Sequence, residues 1–344
     1  MIRYQRAIPT LLIAVCILLS KGTRCLAQET SSHKWETVKY NGMDYVTIRS
    51  VKSFYGFEKI KYGAVITMEN AKVKMEVRPK TQRCRMNGVL FILSEPVVAY
   101  NGRYLLSRTD LVKLVDPVLR PTYIRGARPF KTVVIDAGHG GKDPGSLGPY
   151  ENEKVYTLKV AQLVRDMLQQ RGYQVVMTRN SDVFISLANR VRIANKYPGA
   201  IFLSIHFNAG NSLANGIETF TISPVGVPHM GRGIRPRDYE MVPGNTMDSA
   251  SIALATAVHS RSLLYLNNKS YGNNFRIEDR GIKRARYNVL TGIRIPAILL
   301  EGGFLTNRTE ASKVNSSAYQ KTLASAIVRA VDVYRDSISA SDTP

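Results

Sequence analysis

Apolar residues in the second half of the chain fall into short blocks alternating with longer stretches of helical spacing. Residues 133–137 form one such block, 174–178 a second, 200–205 a third and 216–222 a fourth. Between them, 153–171 places Val155, Leu158, Leu163, Val164, Met167 and Leu168 on one helical stripe, and Gly172 then stops it. Residues 187–196, 251–264 and 318–334 are also helical. Strands and helices alternating at these lengths predict an α/β fold, a mostly parallel sheet covered by helices, over residues 131–336.

The first half of the chain has a different rhythm. Asn41-Gly42, Asn87-Gly88 and Asn101-Gly102 each sit beside residues of high strand propensity, and both residues of an Asn-Gly pair tolerate the positive φ of a type I′ turn. Residues 38–40 and 45–47 are expected to flank the first turn and 90–93 to follow the second, with Ser107 and Asp110 capping a short helix. Residues 36–118 are therefore expected to be a small mainly-β unit. The spacing of its Asn-Gly hairpins resembles the stalk-like domain related to the N-terminal domain of copper amine oxidases. That resemblance implies spacing, wall contact or self-association; no cluster of metal ligands accompanies it. A linker rich in Pro and Gly is expected at 119–130.

Residues 223–248 follow neither period. They hold four prolines and four glycines, and a loop of that length inside a compact domain is uncommon and often functional. It is expected to form a lid or groove wall beside a site, or a passive surface insertion.

The ends of the chain change what counts as fold. Arg3 and Arg6 precede a mostly apolar run at 8–19, and Cys25-Leu26-Ala27 offers small residues for cleavage, so residues 1–27 are expected to be a signal peptide. The run is too short to span a membrane comfortably, and no other stretch looks transmembrane. Export to the periplasm, cell envelope or exterior follows. Cys16 and Cys25 would leave with the leader, so Cys84 alone excludes an intrachain disulfide or a cysteine-ligated zinc site. The formal charge of +22 includes four positive residues in the leader, leaving about +18, which favours anionic partners. No helix-turn-helix, zinc-finger or RNP-like pattern points to nucleic acid, so the charge is expected either to meet anionic polymers of the envelope or to be a dispersed basic surface that aids solubility.

Three of the apolar blocks lead into residues able to act on a metal. Residues 133–137 run into Gly138-His139-Gly140-Gly141, 200–205 into His206-Phe207-Asn208, and 297–300 into Glu301-Gly302-Gly303-Phe304. Ligands of open α/β sheets bind outside the carboxyl ends of parallel strands, so these residues should meet at one rim. Two histidines and a carboxylate form a familiar hydrolytic zinc set. The third ligand should come from Glu151 or Glu153, and Glu153 is preferred because it opens the helix after the first loop. Glu301 would then be the acid/base, and no Gly-x-Ser-x-Gly elbow or cysteine/histidine pair supplies a rival nucleophile. Arg179 and Arg190 are expected to brace the fold through carboxylates such as Asp182. Asn208 is a candidate for orienting a ligand, His229 for reaching substrate, His259 for packing or the surface, and Asp279-Arg280 for a turn or support to the site.

The run from Val134 to Gly145, Glu153-Lys154, Thr178-Arg179 with Asp182, Arg190 with Ala194-Asn195, Ser204-Ile205-His206-Phe207-Asn208-Ala209, Gly216-Ile217-Glu218-Thr219, Asp279-Arg280-Gly281 and Glu301-Gly302-Gly303-Phe304 occur in that order. Together they resemble the zinc-dependent N-acetylmuramoyl-L-alanine amidases over about residues 131–336. The resemblance implies Zn2+ on His139, Glu153 and His206, with Glu301 catalytic. It also implies hydrolysis of the amide between N-acetylmuramic acid and L-alanine in peptidoglycan by zinc-activated water. Gly302 stands where many members carry Thr, and 223–248 is longer than in a minimal member and too rich in Pro and Gly to be an inhibitory helix. The competing expectation is a zinc-binding but catalytically idle peptidoglycan-binding protein.

Overall fold

A computed structural model describes residues 35–121, 124–271 and 274–339. The expected leader at 1–27, His33 and residues 122–123 of the expected linker lie outside the described residues.

All three Asn-Gly pairs make two-residue hairpins. Asn41, Asn87 and Asn101 sit at φ 47°, 48° and 47°, each followed by a glycine at positive φ. They join β1 (Thr37–Tyr40) to β2 (Met43–Thr47), β6 (Arg83–Met86) to β7 (Val89–Ile92), and β8 (Val98–Tyr100) to β9 (Arg103–Ser107). β1, β2, β9 and β8 form a four-stranded antiparallel sheet. Helix α1 (Ile48–Phe54) follows β2, and the Thr47 hydroxyl caps it by accepting from Ser50 N at 3.2 Å. Ser107 caps α2 (Arg108–Asp110) in the same way, and a π-turn (Leu111–Val115) and α3 (Asp116–Leu119) continue that segment.

The remaining N-terminal strands, β3 (Lys59–Lys61), β4 (Ile66–Glu69) and β5 (Lys74–Val77), extend β6 and β7 by antiparallel pairing. They continue into the sheet of the second half, which contains β10 (Thr132–Ala137), β11 (Gln174–Met177), β12 (Ile201–Asn208), β13 (Ile217–Ile222), β14 (Asp279–Ala285) and β15 (Ala297–Phe304). One eleven-stranded sheet results, in the order β11-β10-β12-β15-β13-β14-β7-β6-β5-β4-β3. Within residues 131–336 every pair is parallel except β13 with β15, as expected of a mostly parallel sheet. Over its whole width the sheet is mixed. The N-terminal strands and those of the second half therefore meet at a parallel seam, with Ile282 on β14 opposite Phe91 on β7.

Helices cover both faces of the second half: α4 (Glu153–Gln170), α5 (Leu187–Ala194), α6 (Asp248–Asn267), α7 (Asn288–Thr291), α8 (Arg308–Asn315) and α9 (Ser317–Ser339). Alternation along the strands sorts the core. Val133, Ile135, Ile201, Leu203, Ile205, Ile298 and Leu300 join one cluster with Val160 and Val164 of α4 and Leu323 and Ile327 of α9. Val134, Phe202 and Leu299 point the other way, against Val289 and Leu290 of α7 and Ala194 of α5. The first cluster also takes in Met68, Met75, Cys84 and Phe91, so one apolar layer runs beneath both halves of the chain. Cys84 is fully buried, and burial pushes its thiol up, away from reactivity. No described helix is long and apolar enough to cross a membrane.

Candidate metal centre

The three chosen ligands meet. His139 follows β10, His206 lies on β12 and Glu153 opens α4, and one ligand atom from each lies within 4.8 Å of the others. His139 Nε2 is 3.1 Å from Glu153 Oε2, and His206 Nδ1 is 2.9 Å from Glu153 Oε1. Donors on a tetrahedral zinc with bonds of about 2.0–2.1 Å stand about 3.3 Å apart, so these separations are close to those of a ligand set. Glu151, the alternative, is exposed. Zinc thus fits the donors present: two imidazole nitrogens and one carboxylate, converging from three elements.

The surroundings fix each donor. Asp143 Oδ2 lies 2.9 Å from His139 Nδ1; a carboxylate only accepts, so Nδ1 carries a proton, and Nε2 is turned toward Glu153 and the site. Glu153 accepts from Ser146 N at 2.8 Å and Phe207 N at 3.0 Å. Burial pushes the Glu153 carboxyl up, but hydrogen bonds from His139 and His206 more than offset it, and the carboxyl stays well below the usual range. Backbone approach is equally tight. A Cβ on Gly145, which sits at φ +66°, would lie 2.6 Å from Glu153 Oε2 and 2.7 Å from His139 Cδ2, and one on Gly138 would lie 2.3 Å from the His206 ring.

Two arginines hold the His139 turn. Arg190 donates to Asp136 at 2.6 Å and to the carbonyls of Ala137 and His139, both at 2.7 Å. Asp136 is fully buried and also accepts from Thr178 and Ser204 hydroxyls, both at 2.7 Å. Burial pushes its carboxyl up, but Arg190, the Thr178 hydroxyl and His206 together outweigh it, and the net direction is down. Arg179 differs from expectation. Its guanidinium binds carbonyls of Ala137, Gly138, Lys154 and Ser181 rather than a carboxylate, while Asp182 pairs with Lys154 Nζ at 2.6 Å and accepts from Gly141 N at 2.7 Å.

Glu301 lies inside β15, flanked in register by His206 on β12 and Glu218 on β13. It is buried, and its Oε2 has no hydrogen-bond partner among the described residues. Burial, then the neighbouring carboxylates Glu153 and Glu218, push its carboxyl well up, with Lys283 pulling the other way. A carboxyl raised in this way holds a proton more readily than an exposed one, the property that acid/base chemistry draws on.

The sequence reading missed the group beside it. Glu218 is buried and pairs with Lys283 Nζ at 2.8 Å and with Arg280, whose guanidinium stacks 4.7 Å from the Phe304 ring centroid. The signal was present, since Gly216-Ile217-Glu218-Thr219 and Asp279-Arg280-Gly281 were both singled out. Asp279-Arg280 opens β14, which carries Lys283, and supports the site from there.

The remaining candidates fall elsewhere. Asn208 bonds locally, its Oδ1 accepting from Ala209 N at 2.8 Å. His229 accepts from Arg286 N at 3.1 Å and packs edge-on against Tyr287, apart from the ligand trio. His259 is fully buried and bridges Thr219 Oγ1 at 2.9 Å and Asp279 Oδ1 at 3.0 Å. The 223–248 segment is anchored rather than loose: Asp238 binds Arg232 through both oxygens at 2.6 and 2.7 Å, and Asn245 donates to Ser223 O at 2.8 Å.

Comparisons with known proteins follow the same residues. A family described as N-acetylmuramoyl-L-alanine amidase matches residues 133–333. The chain is 35% identical over 206 residues to the protein YqiI of Bacillus subtilis (strain 168), covering 60% of this chain and 85% of that one. It is 30% identical over 194 residues to the sporulation-specific N-acetylmuramoyl-L-alanine amidase of the same organism, covering 56% of this chain and 63% of that one, less than two thirds of its length. A crystal structure of an N-acetylmuramoyl-L-alanine amidase from Clostridium difficile 630 is 33% identical over 61% of this chain and 98% of its own, with a TM-score of 0.49. The family match spans more than half of the chain and contains His139, Glu153, His206 and Glu301, and the chain belongs to the N-acetylmuramoyl-L-alanine amidases, hydrolases of an amide bond.

Proposed function

We propose that this chain is an exported, zinc-dependent amidase that cleaves peptidoglycan between the lactyl group of N-acetylmuramic acid and the L-alanine of the stem. The observation that carries the reading is the placement of Glu301. A buried carboxylate with an unpartnered oxygen stands in the same sheet row as His206, one strand from a converged His-Glu-His set.

His139, Glu153 and His206 would hold the ion, which when bound makes a water acidic near neutral pH and polarises a carbonyl oxygen. The chain's own part is positional and protonic. Asp143 keeps the His139 proton on Nδ1, so Nε2 remains a donor to the ion. Glu301 Oε2 accepts a proton from the attacking water and returns it to the departing alanine nitrogen, so that the amine leaves neutral. Arg190 and Arg179, bound to the carbonyls at 137–139, keep the turn that carries His139 from relaxing.

A cell-wall setting is supported by relatives such as the sporulation-specific amidase and by the expected leader. An idle wall-binding protein would need neither the ligand set nor Glu301. The test is to incubate the chain with peptidoglycan sacculi, with and without a chelator, and identify released fragments by mass spectrometry. Stem peptides beginning at L-alanine, lost on chelation and restored by zinc, are the expected result. Binding without release would select the idle reading, and cleavage at a peptide cross-link would reassign the bond.

A further inference from the structure

The four-stranded sheet and α1 enclose a second cleft, of about 460 Å³, lined by Glu36, Arg49, Tyr62, Arg103 and Tyr104. None of these residues belongs to the metal centre. We infer that this cleft is a binding site for a glycan strand, the alternating amino-sugar backbone of the polymer whose stems the metal centre would cleave. The choice of that glycan rests on the amidase reading; the cleft's chemistry stands apart from it.

Three features of the cleft select a sugar. Tyr62 and Tyr104 lie with ring centroids 6.0 Å apart and planes 22° from parallel, and Tyr62 is 53% exposed. Neither hydroxyl has a hydrogen-bond partner among the described residues. Flat rings with free polar tips suit a ligand that is apolar on one face and hydroxylated at its edge, as a pyranose is.

The polar wall is built and largely neutral. Glu36 Oε1 accepts from Arg103 at 2.8 Å, and its Oε2 accepts from the Thr47 hydroxyl at 2.7 Å. Thr47 in turn caps α1, so the pair is tied to a helix end rather than left to wander. A guanidinium already matched by a carboxylate presents donors and acceptors in a plane, which suits hydroxyl and acetamido groups better than a phosphate polyanion.

Arg49 adds one cation. It is exposed and makes no ion pair among the described residues. One unmatched charge beside a neutral wall fits a sugar carrying an occasional carboxylate, such as the lactyl group of muramic acid. It does not fit a densely charged chain, which would call for several.

The test uses the full chain and, as the probe, peptide-free strands of alternating N-acetylglucosamine and N-acetylmuramic acid, which carry no stem amide and so are not consumed. Titration followed by calorimetry should show binding that Tyr62→Ala and Tyr104→Ala each weaken by about tenfold, and that Tyr62→Phe, keeping the ring, restores to within about twofold. Near-ultraviolet circular dichroism of each variant checks that the fold is intact. Absence of binding by the parent, or unchanged binding by a correctly folded Tyr62→Ala, overturns the site. The amidase reading is tested separately by stem release from the chain with Glu301 intact, so either idea can fail while the other stands.

Discussion

Glu218 on β13 is the register partner of Glu301 on β15, across the one antiparallel seam among the described strands of residues 131–336. Two buried carboxylates thus occupy one row, but only one is matched. Glu218 pairs with Lys283 and Arg280, while Glu301 keeps an oxygen without a partner among the described residues. Replacing Glu301 by glutamine preserves shape and removes the ability to take a proton. Glu301→Gln should lower turnover by about 10²–10⁴-fold and leave zinc content unchanged by atomic emission. Near-normal release of stems by a zinc-loaded Gln variant would remove Glu301 from the mechanism.

Gly145→Ala tests the ligand set without touching a ligand. The added Cβ would stand 2.6 Å from Glu153 Oε2 and 2.7 Å from the His139 ring, at a backbone φ that alanine disfavours. Zinc affinity should fall by at least about tenfold, the low end for disturbing groups that orient metal ligands. A competition titration with a chromophoric chelator reads it directly, and an unchanged affinity would mean that the ligand positions differ from those described.

Asp136→Ala leaves Arg190, buried at 3% exposure, without its carboxylate. Breaking a buried ion pair from one side costs about 3–5 kcal/mol, so chemical denaturation should move to markedly lower denaturant. A loss below about 1 kcal/mol would show that the carbonyls of Ala137 and His139 suffice for Arg190.

Acid should loosen the 223–248 segment in a defined window. Hydrogen bonds from Arg232 hold the Asp238 carboxyl down at about 2, against the opposing push of burial. A carboxyl depressed on folding stabilises above its unfolded value, and that stabilisation is lost as pH falls toward the folded one. The loss therefore runs from about pH 4 down to pH 2. Limited proteolysis with an acid-active protease should find new cleavages between residues 223 and 248 within that window, and Asp238→Asn should show them at neutral pH with a neutral protease. Full protection of the Asn variant would mean that other contacts anchor the segment.

Much of this arrangement was legible in the sequence because local chemistry specified it. Asn41-Gly42, Asn87-Gly88 and Asn101-Gly102 each fix a turn by backbone conformation alone, and all three formed. His139, His206 and Glu301 were legible because each follows a short apolar run, although β12 and β15 continue past His206 and Glu301. β3 to β5 were harder to read, since each is short and charged on one face. The merging of two expected units into one sheet could not be read at all, because the pairing of Phe91 with Ile282 joins residues distant in sequence and carries no local signature. Lys283 was missed for a similar reason. It looks like a solvated charge until the fold places it on Glu218, where burial pulls its ammonium pKa down. His259 was read as a packing or surface residue; it is buried, and its bonds to Thr219 and Asp279 depend on three elements meeting.

The seam between β14 and β7 also bears on how the molecule behaves among copies of itself. Arg85 binds Asp279 at 2.8 Å and Leu90 N donates to the same carboxylate at 3.1 Å, so the first half of the chain is pinned along the outer side of β14. Cut back to residues 131–336, the protein would bare that side as an open edge, a template for strand addition by a second molecule. The N-terminal strands therefore serve as a guard against aggregation, and they move the exposed margin of the sheet out to β3, where Lys59 and Lys61 oppose pairing.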